Sequence, residues 1–345
     1  MGIALQTVTN ELTHVFLLSV GAFLLAMFLT PIYTFFAYRY RFWKRQRSES
    51  TDGKKLKVFA KFQAAKLRRN IPTMAGVIGV ISIFVVTIFF NLDRAQTWLP
   101  LAALVGGGIV GLIDDIINLR GLGGGAAGLR SPVKFALITL IGVVLGWFFF
   151  AKLGVASFHV PFVGEVNIGW LIVPLFAFAV VATGNAVNIS DGMDGLAGGL
   201  LGISFGAFGV IALLQQHVIL AGFCFTVVGV LLSYLWFNIY PARFFMGDVG
   251  SFAYGVCLGV VAMLTDSLLL LPVIGLLFVI EAGSSLTQIV SKKLFKRKIF
   301  LSAPIHHHLE AIGWPETKVT MRFWVIGCVM AFIGVMLALA GGHIA

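Results

Sequence analysis

Long apolar runs separated by short polar segments dominate the chain. A transmembrane helix needs about 20 mostly apolar residues, and a run of that kind recurs ten times. The stretch 195–242 holds no Asp, Glu, Lys or Arg and is too long for one span, so we divide it at Gln215–His217. A further division falls near Asp266. The predicted helices cover 13–38, 72–92, 96–117, 133–151, 168–187, 195–214, 217–238, 249–265, 267–291 and 321–342.

The segment 153–167, between the fourth and fifth predicted helices, has a different pattern. Its apolar residues alternate with others around Pro161 and Gly164, which is typical of two short strands joined by a turn. We therefore expect a short β-hairpin on the outer side of the membrane. The predicted fold class is an all-α polytopic membrane protein with about ten transmembrane helices and this hairpin. We expect a single integral-membrane domain over 1–345.

Composition agrees with this fold class. Hydrophobic residues make up 59% of the chain and charged residues 11%, whereas soluble domains are roughly a quarter charged. A large soluble enzyme is therefore excluded. The three cysteines fall in apolar runs and form no recognisable metal or disulfide framework. We interpret them as small buried hydrophobic residues.

The basic residues predict an orientation in the membrane. Of the 25 Lys and Arg residues, 23 lie in 39–71, in 118–134, at Arg243 or in 292–322. Cytoplasmic loops of membrane proteins carry such an excess, so the loops after the odd-numbered helices are expected in the cytoplasm and both termini outside. The net charge of +11 is then mainly a topology signal, and we predict no nucleic-acid partner.

Four polar clusters interrupt the apolar pattern, and this topology places all of them on the cytoplasmic side. They follow helices 3, 5, 7 and 9. Four separate clusters on one face indicate one site. The clusters are Asp114–Asp115, Asn188–Asp194, Asn238–Asp248 and His306–Glu310.

Adjacent carboxylates predict a nearby positive charge. Asp114 and Asp115 lie near a helix C-terminus, whose dipole is already negative, so a divalent metal or a Lys or Arg side chain should compensate them. A cluster of oxygen ligands suits Mg²⁺, which commonly links one or two carboxylates to substrate phosphates. The three histidines are weaker evidence for zinc, because consecutive residues of a helix do not share a face.

Each cluster also has a structural interpretation. Asp191, Asp194 and Asp248 each precede a helix and are suited to N-capping. Asp114–Asp115 is compatible with a solvated helix end, and His306–His308 with a polar loop. Asn238 is suited to capping its own helix, and Phe244 and Phe245 to interfacial packing. Glu281, inside an apolar run, requires a partner, either a helix neighbour or the site.

At these residues the chain resembles the phospho-N-acetylmuramoyl-pentapeptide transferase family, within the polyprenyl-phosphate N-acetylhexosamine-1-phosphate transferase superfamily. The resemblance runs from Pro72-Thr73-Met74 to Leu309-Glu310. The histidine motif is the more specific one, because relatives that use UDP-N-acetylglucosamine carry a different pattern there. The motifs that carry the resemblance are Asp114-Asp115, Asn188-x-x-Asp191-Gly192-x-Asp194-Gly195, Phe245-Met246-Gly247-Asp248 and Ala303-Pro304-Ile305-His306-His307-His308.

The resemblance implies transfer of phospho-MurNAc-pentapeptide from UDP-MurNAc-pentapeptide to undecaprenyl phosphate. The products are lipid I and UMP, in the first membrane step of peptidoglycan synthesis. It also implies Mg²⁺, a homodimer and a place in the bacterial cytoplasmic (inner) membrane, in contact with membrane lipid.

The resemblance further implies roles for individual residues. Asp248 and Asp115 are the expected metal ligands, and Asp114 is the favoured candidate base. The expected catalytic residues are Asp114, Asp115, Asp248, His306, His307 and His308. The expected substrate-binding residues are Arg68, Thr73, Lys134, Asn188, Asp191, Asp194, Asn238 and Phe245, with Phe245 placed to stack on uracil.

The sequence departs from the family pattern on the phosphate side. Ile71, Ala75 and Asn118 stand where the family usually has Thr, Gly and Lys, and Arg68 replaces a lysine. Two alternatives stay open: a transferase that uses a UDP-N-acetylhexosamine without the peptide, and a transporter whose aspartates form a permeation path. The transporter would need acids at mid-membrane, whereas these aspartates lie at helix ends on one side.

Overall fold

The computed structural model describes residues 2–43, 70–121 and 128–342. In this part of the chain, helices fill nearly all of the predicted apolar runs, and a two-stranded hairpin is the only sheet. The α-helices are α1 Gly2–Arg39, α2 Gly76–Phe90, α3 Trp98–Arg120, α4 Ser131–Leu153, α5 Ile172–Ser190, α6 Leu196–Leu214, α7 Val218–Asn238, α8 Gly247–Leu264, α9 Leu271–Ile274, α10 Leu276–Leu294, α11 Ile305–Ala311 and α12 Glu316–Ala340.

The prediction of a polytopic all-α membrane protein is confirmed. In the described ranges, eight helices are long and apolar enough to cross a membrane. The bent pair Leu268–Ile274 and Leu276–Leu294 is a ninth if it is counted as one span, and the predicted span 72–92 corresponds to the shorter apolar helix α2 of 15 residues. The divisions at Gln215–His217 and near Asp266 both coincide with turns.

The ninth helix was expected to be continuous over 267–291, and this was wrong. The chain bends by 81° between Leu268–Ile274 and Leu276–Leu294. Pro272 opens the short helix α9, and Gly275 lies at the break. Proline and glycine are the usual residues at sharp helix kinks, because proline lacks an N–H donor and glycine has no side chain.

The hairpin predicted between the fourth and fifth helices is confirmed. Strands β1 (Ser157–Val160) and β2 (Gly164–Asn167) pair antiparallel. His159, on β1, donates its backbone N–H to Asp266 Oδ1 over 2.9 Å, and its ring Nε2 lies 2.8 Å from Gly341 O. The hairpin is therefore attached to the turn after α8 and to the end of α12.

Two carboxylates meet at this attachment. Asp266 lies beside Glu165, and burial, followed by this neighbouring carboxylate, raises the pKa of Asp266 to about 7. A hydrogen bond from Ser157 lowers the pKa of Glu165. Burial and the neighbouring carboxylate therefore both oppose a negative charge on Asp266.

Helix α8 is the centre of the bundle. In the described chain 94% of its most apolar stretch is buried, and it packs against α2, α3, α5 and α6. Its closest approach to α3 is at Gly111, where an added Cβ would lie 2.1 Å from Asp248 O. Only glycine fits there. Asp114 and Asp115 follow Gly111 by one turn, so this crossing places them beside Asp248.

We expect Gly111→Ala to destabilise the protein by about 1–3 kcal/mol, since overpacking a close helix crossing forces the backbones apart. Thermal unfolding of the purified protein in detergent measures the effect. Gly206→Ala is the matched control, because an added Cβ there meets no atom within 4 Å. Equal stability of the two variants would contradict the close approach of α3 and α8.

Candidate active site

Asp114 and Asp248 share one lysine. Lys134 Nζ donates to Asp114 Oδ2 over 2.9 Å and to Asp248 Oδ2 over 2.8 Å. Both aspartates are buried, and the Lys134 side chain is 16% exposed. The three groups come from α3, α4 and α8, so this bridge joins three helices. Lys134 supplies positive charge of the kind that the adjacent carboxylates required.

Backbone amides stabilise the acidic pair as well. Leu129 N donates to Asp114 Oδ1, and Val249 N donates to Asp115 Oδ2 over 3.0 Å. Val249 lies in the first turn of α8, where the helix dipole favours negative charge. The interpretation of Asp114–Asp115 as a solvated helix end is wrong, because the two residues are 2% and 1% exposed.

Gly247 lies against two side-chain oxygen atoms, Asp115 Oδ2 and Thr73 Oγ1. Its φ is +73°, a conformation that favours glycine. An added Cβ at Gly247 would lie 2.6 Å from Asp115 Oδ2 and 2.9 Å from Thr73 Oγ1. Thr73 is 1% exposed, and its Oγ1 has no hydrogen-bond partner within the described chain. A buried hydroxyl of this kind is an available ligand beside the acidic pair.

The segment before α8 is hydrogen-bonded to the segment before α2. Phe245 N donates to Pro72 O over 2.8 Å, and Phe245 O accepts from Ala75 N over 3.0 Å. Phe245 remains partly exposed. Phe244 is buried and packs on Tyr33 and Phe237. The packing interpretation is therefore right for Phe244, while Phe245 is only partly buried.

The 188–194 cluster reaches both neighbouring clusters. Asn188 Nδ2 donates to Ser251 Oγ on α8 over 2.9 Å. Asp194 Oδ2 accepts from Ala242 N over 3.0 Å. Asp191 ends α5, so it lies in the same turn. None of the helix N-termini that follow these aspartates has a side-chain cap, so the N-cap interpretation is wrong for Asp191, Asp194 and Asp248.

Asn238 connects two of these turns. Its Oδ1 accepts from Gly195 N over 2.9 Å, and its Nδ2 donates to Phe244 O over 2.8 Å. Asn238 is 3% exposed. It therefore holds the two turns together. The structural interpretation, in which Asn238 caps its own helix, is wrong.

The three histidines lie on a helix, and the polar-loop interpretation is wrong. They lie in the first turn of α11, and each has its own partner, as expected for consecutive helical positions. His307 Nδ1 lies 2.7 Å from Glu310 Oε2, and His308 Nδ1 accepts from Leu301 N over 3.2 Å.

Glu281 is the partner of His306. Its Oε2 lies 2.8 Å from His306 Nδ1, and both side chains are 0% exposed. His306 Nε2 faces Gly192, where an added Cβ would lie only 2.4 Å away. The histidine helix therefore contacts the 188–194 cluster. The partner of Glu281, which the sequence left open, is His306 of the candidate site and not a neighbour on its own helix.

Two functional candidates were missed or left open by the sequence. Glu281 carried one signal, an isolated acid in an apolar run. Glu316 carried none: its Oε1 accepts from Asp194 N over 2.7 Å, a contact between residues distant in the chain. Of the predicted substrate-binding residues, Arg68 lies outside the described residues. The other predicted residues all lie at this end of the bundle.

The side-chain oxygen atoms of Asp115, Asp248 and Thr73 suit a magnesium ion that takes its remaining ligands from the substrate. Asp115, Asp248 and Thr73 lie around Gly247 and the start of α8. In the described ranges, the carboxylates of this face do not form a group of three whose ligand atoms all lie within 4.8 Å of one another. Magnesium is usually held by one or two carboxylates plus substrate phosphates, so this donor set fits it.

Comparison with known proteins identifies similar chains. The family model described as Glycosyl transferase family 4 matches residues 97–266. A phospho-N-acetylmuramoyl-pentapeptide-transferase of Chloroflexus aggregans is 38% identical, over 99% of this chain and 94% of its own. Enzymes of the same name from Geobacillus thermodenitrificans and Oceanobacillus iheyensis are each 35% identical, over 91% and 94% of this chain and 94% and 98% of their own lengths.

We expect Lys134→Met to lower the free energy of unfolding by about 3 kcal/mol, since it leaves two buried carboxylates without their shared cation. Denaturant unfolding in detergent measures this. Arg130→Met is the matched control, because Arg130 is exposed one turn earlier. In a chain that also carries Asp114→Asn and Asp248→Asn, the lysine change should matter far less. An equal loss in both backgrounds would contradict the bridge.

Proposed function

The chain belongs to the phospho-N-acetylmuramoyl-pentapeptide transferase family, and we propose that the Asp114–Lys134–Asp248 cluster is the centre at which it works. The reaction transfers phospho-MurNAc-pentapeptide from UDP-MurNAc-pentapeptide to undecaprenyl phosphate, and it releases UMP and lipid I. The observation that carries the proposal is the shared lysine, which holds two buried carboxylates from different helices at the end of a membrane bundle.

The chemistry brings two anions together. A phosphate oxygen of the acceptor lipid attacks the phosphorus that bears the sugar, and the bond from that phosphorus to UMP breaks. Preorganised cations stabilise the charge that develops during phosphoryl transfer. Lys134 is a fixed cation of this kind, and the N-terminus of α8 lies beside it, where the helix dipole favours negative charge.

Asp114 acts mainly by positioning in this proposal. Lys134 and Leu129 N already occupy both of its carboxylate oxygens. A phosphate monoester also has a second pKa of about 6, so little proton remains to be removed at neutral pH. We therefore favour direct attack by the lipid phosphate, with Asp114 orienting Lys134 as its larger role.

Magnesium would be held by Asp248 and Asp115, with Thr73 Oγ1 beside them. The bound ion would neutralise the donor pyrophosphate. The chain's own residues keep these oxygens in place: Gly247 permits the close approach, and Val249 N orients Asp115.

The donor nucleotide is proposed to lie over the partly exposed Phe245, with uracil stacked on its ring. Asn188, Asp191 and Asp194 line the adjoining turn, which Asn238 braces. His306–His308 lie across this turn at Gly192 and would complete the cleft. Arg68 is proposed to contact phosphate from the basic segment that precedes α2.

The lipid substrate determines where the site must lie. Undecaprenyl phosphate keeps its phosphate at the membrane surface, and the donor arrives from the cytoplasm. We propose that the protein lies in the bacterial cytoplasmic membrane with this face inward and both termini outside, which the distribution of basic residues supports. The single domain over 1–345 and the homodimer stay predictions.

We expect Asp248→Asn to reduce UMP release by at least about 100-fold while the protein stays folded, because a metal ligand and the partner of Lys134 are lost together. A coupled UMP assay with UDP-MurNAc-pentapeptide, undecaprenyl phosphate and Mg²⁺ measures it. EDTA should abolish the wild-type signal. Glu11→Gln, an exposed acid on α1, is the control. Near-normal turnover of Asp248→Asn would refute the metal assignment.

We expect Phe245→Ala to raise the donor KM by about tenfold with a smaller change in kcat, since base stacking on an aromatic ring contributes about 1–3 kcal/mol. Initial rates at varied UDP-MurNAc-pentapeptide measure it, and a parallel series with UDP-N-acetylglucosamine tests the other donor. Phe295→Ala, at an exposed phenylalanine beyond α10, is the control. An unchanged donor KM would remove the stacking role.

A further inference from the structure

A second polar cluster lies at the opposite end of the bundle from the candidate active site. Helices α4 and α8 both run away from that site, and each has at least 18 residues, or about 27 Å at 1.5 Å per residue. The hairpin follows α4, and Asp266 follows α8. His159, Glu165 and Asp266 meet there, and their ligand atoms all lie within 4.8 Å of one another.

We propose that His159, Glu165 and Asp266 form a binding site for a divalent transition-metal ion of the zinc type. The inference does not depend on the proposed function. One imidazole nitrogen and two carboxylates are a donor set that zinc accepts.

The strand register places the first two ligands. His159 and Glu165 are directly paired across β1 and β2, so their side chains project on the same face of the hairpin. Asp266 comes from the turn after α8 and accepts the backbone N–H of His159. The carboxylates of Glu165 and Asp266 also lie close together, so that each of the three residues is near the other two.

The orientation of the His159 ring suits a metal ligand. Its Nε2 lies 2.8 Å from Gly341 O, and a carbonyl oxygen only accepts, so Nε2 carries the hydrogen. In the neutral ring Nδ1 then presents its lone pair, and it faces Glu165. Metal-binding histidines usually donate their other ring nitrogen to a carbonyl or carboxylate in this way.

The spacing also suits a metal. His159 Nδ1 lies 3.6 Å from Glu165 Oε1, which is longer than an ordinary hydrogen bond. Two ligands of a tetrahedral zinc ion, each about 2.0–2.1 Å from the metal, lie about 3.3 Å apart. The His159 ring is nearly buried, while the Glu165 side chain is 57% exposed, so an ion can enter from solvent past Glu165.

A bound ion would connect three parts of the chain. The hairpin, the turn after α8 and, through Gly341 O, the end of α12 all contact His159. Zinc binding should therefore stabilise the folded protein on this face without changing the transferase site.

The test compares zinc binding by closely matched variants of the full chain in detergent. The protein is stripped with EDTA, dialysed against low-micromolar zinc chloride and assayed for zinc and protein. Glu165→Gln is the main variant, because Glu165 is exposed and glutamine preserves its shape. Asp266→Asn is the second, since asparagine still accepts the His159 amide. His217→Gln, at an exposed histidine on the same face, is the control.

Wild type and His217→Gln should each hold one zinc ion more per chain than Glu165→Gln and Asp266→Asn. Zinc should raise the unfolding temperature of the first two chains further than that of the other two, and transferase activity should be the same in all four. The difference between chains is the readout, since His306–His308 can also take zinc. If Glu165→Gln and Asp266→Asn retain as much zinc as wild type, or if wild type gains no stability from zinc, the site is refuted.

Discussion

The structure depends on one constraint, which is that carboxylates buried at the end of a membrane bundle need a positive partner. An unpaired buried charge is strongly destabilising, and Asp114 and Asp248 lie close together with only 2% and 7% exposure. Lys134 is paired with both, and the backbone amides of Leu129 and Val249 each donate to one carboxylate oxygen of the Asp114–Asp115 pair. The lysine that stabilises the buried carboxylates also places a positive charge where phosphates would bind.

The helices are arranged so that this cluster can form. Gly111 allows α3 to approach α8 at the level of Asp248, and Gly247 allows the start of α8 to approach Asp115 and Thr73. Asn188 and Asn238 then connect the 188–194 turn to α8 and to the segment before it by hydrogen bonds, and Glu281 holds His306. The site is thus held at helix ends, and a displacement of α8 would affect Asp115, Lys134 and Asn188 together.

The sequence was sufficient to predict the transmembrane helices, because an apolar run of bilayer length can satisfy its backbone hydrogen bonds in lipid as a helix and in few other ways. It was also sufficient for the hairpin and for the meeting of the four polar clusters on one face. It did not predict the bend at Gly275, because the run 267–291 has the composition of an ordinary span. The helix at His306–His308 was too short and too polar to be recognised from its pattern.

The partners within the site could not be read from the sequence. Charge repulsion between Asp114 and Asp115 required a cation but did not distinguish a metal ion from a lysine, and Lys134 lies on a different helix. The pairing of Glu281 with His306 and of Glu316 with Asp194 joins residues that only the three-dimensional packing brings together. Such contacts depend on helix rotation and register, which apolar periodicity determines only coarsely.

The most direct test of the account is the position of a manganese ion, used in place of magnesium, in an anomalous difference map or a cryo-EM map of the protein. We expect a peak within about 2.5 Å of the Asp115 and Asp248 carboxylates, close to Thr73. A peak that lies away from both aspartates, with these carboxylates uncoordinated at saturating metal, would contradict it.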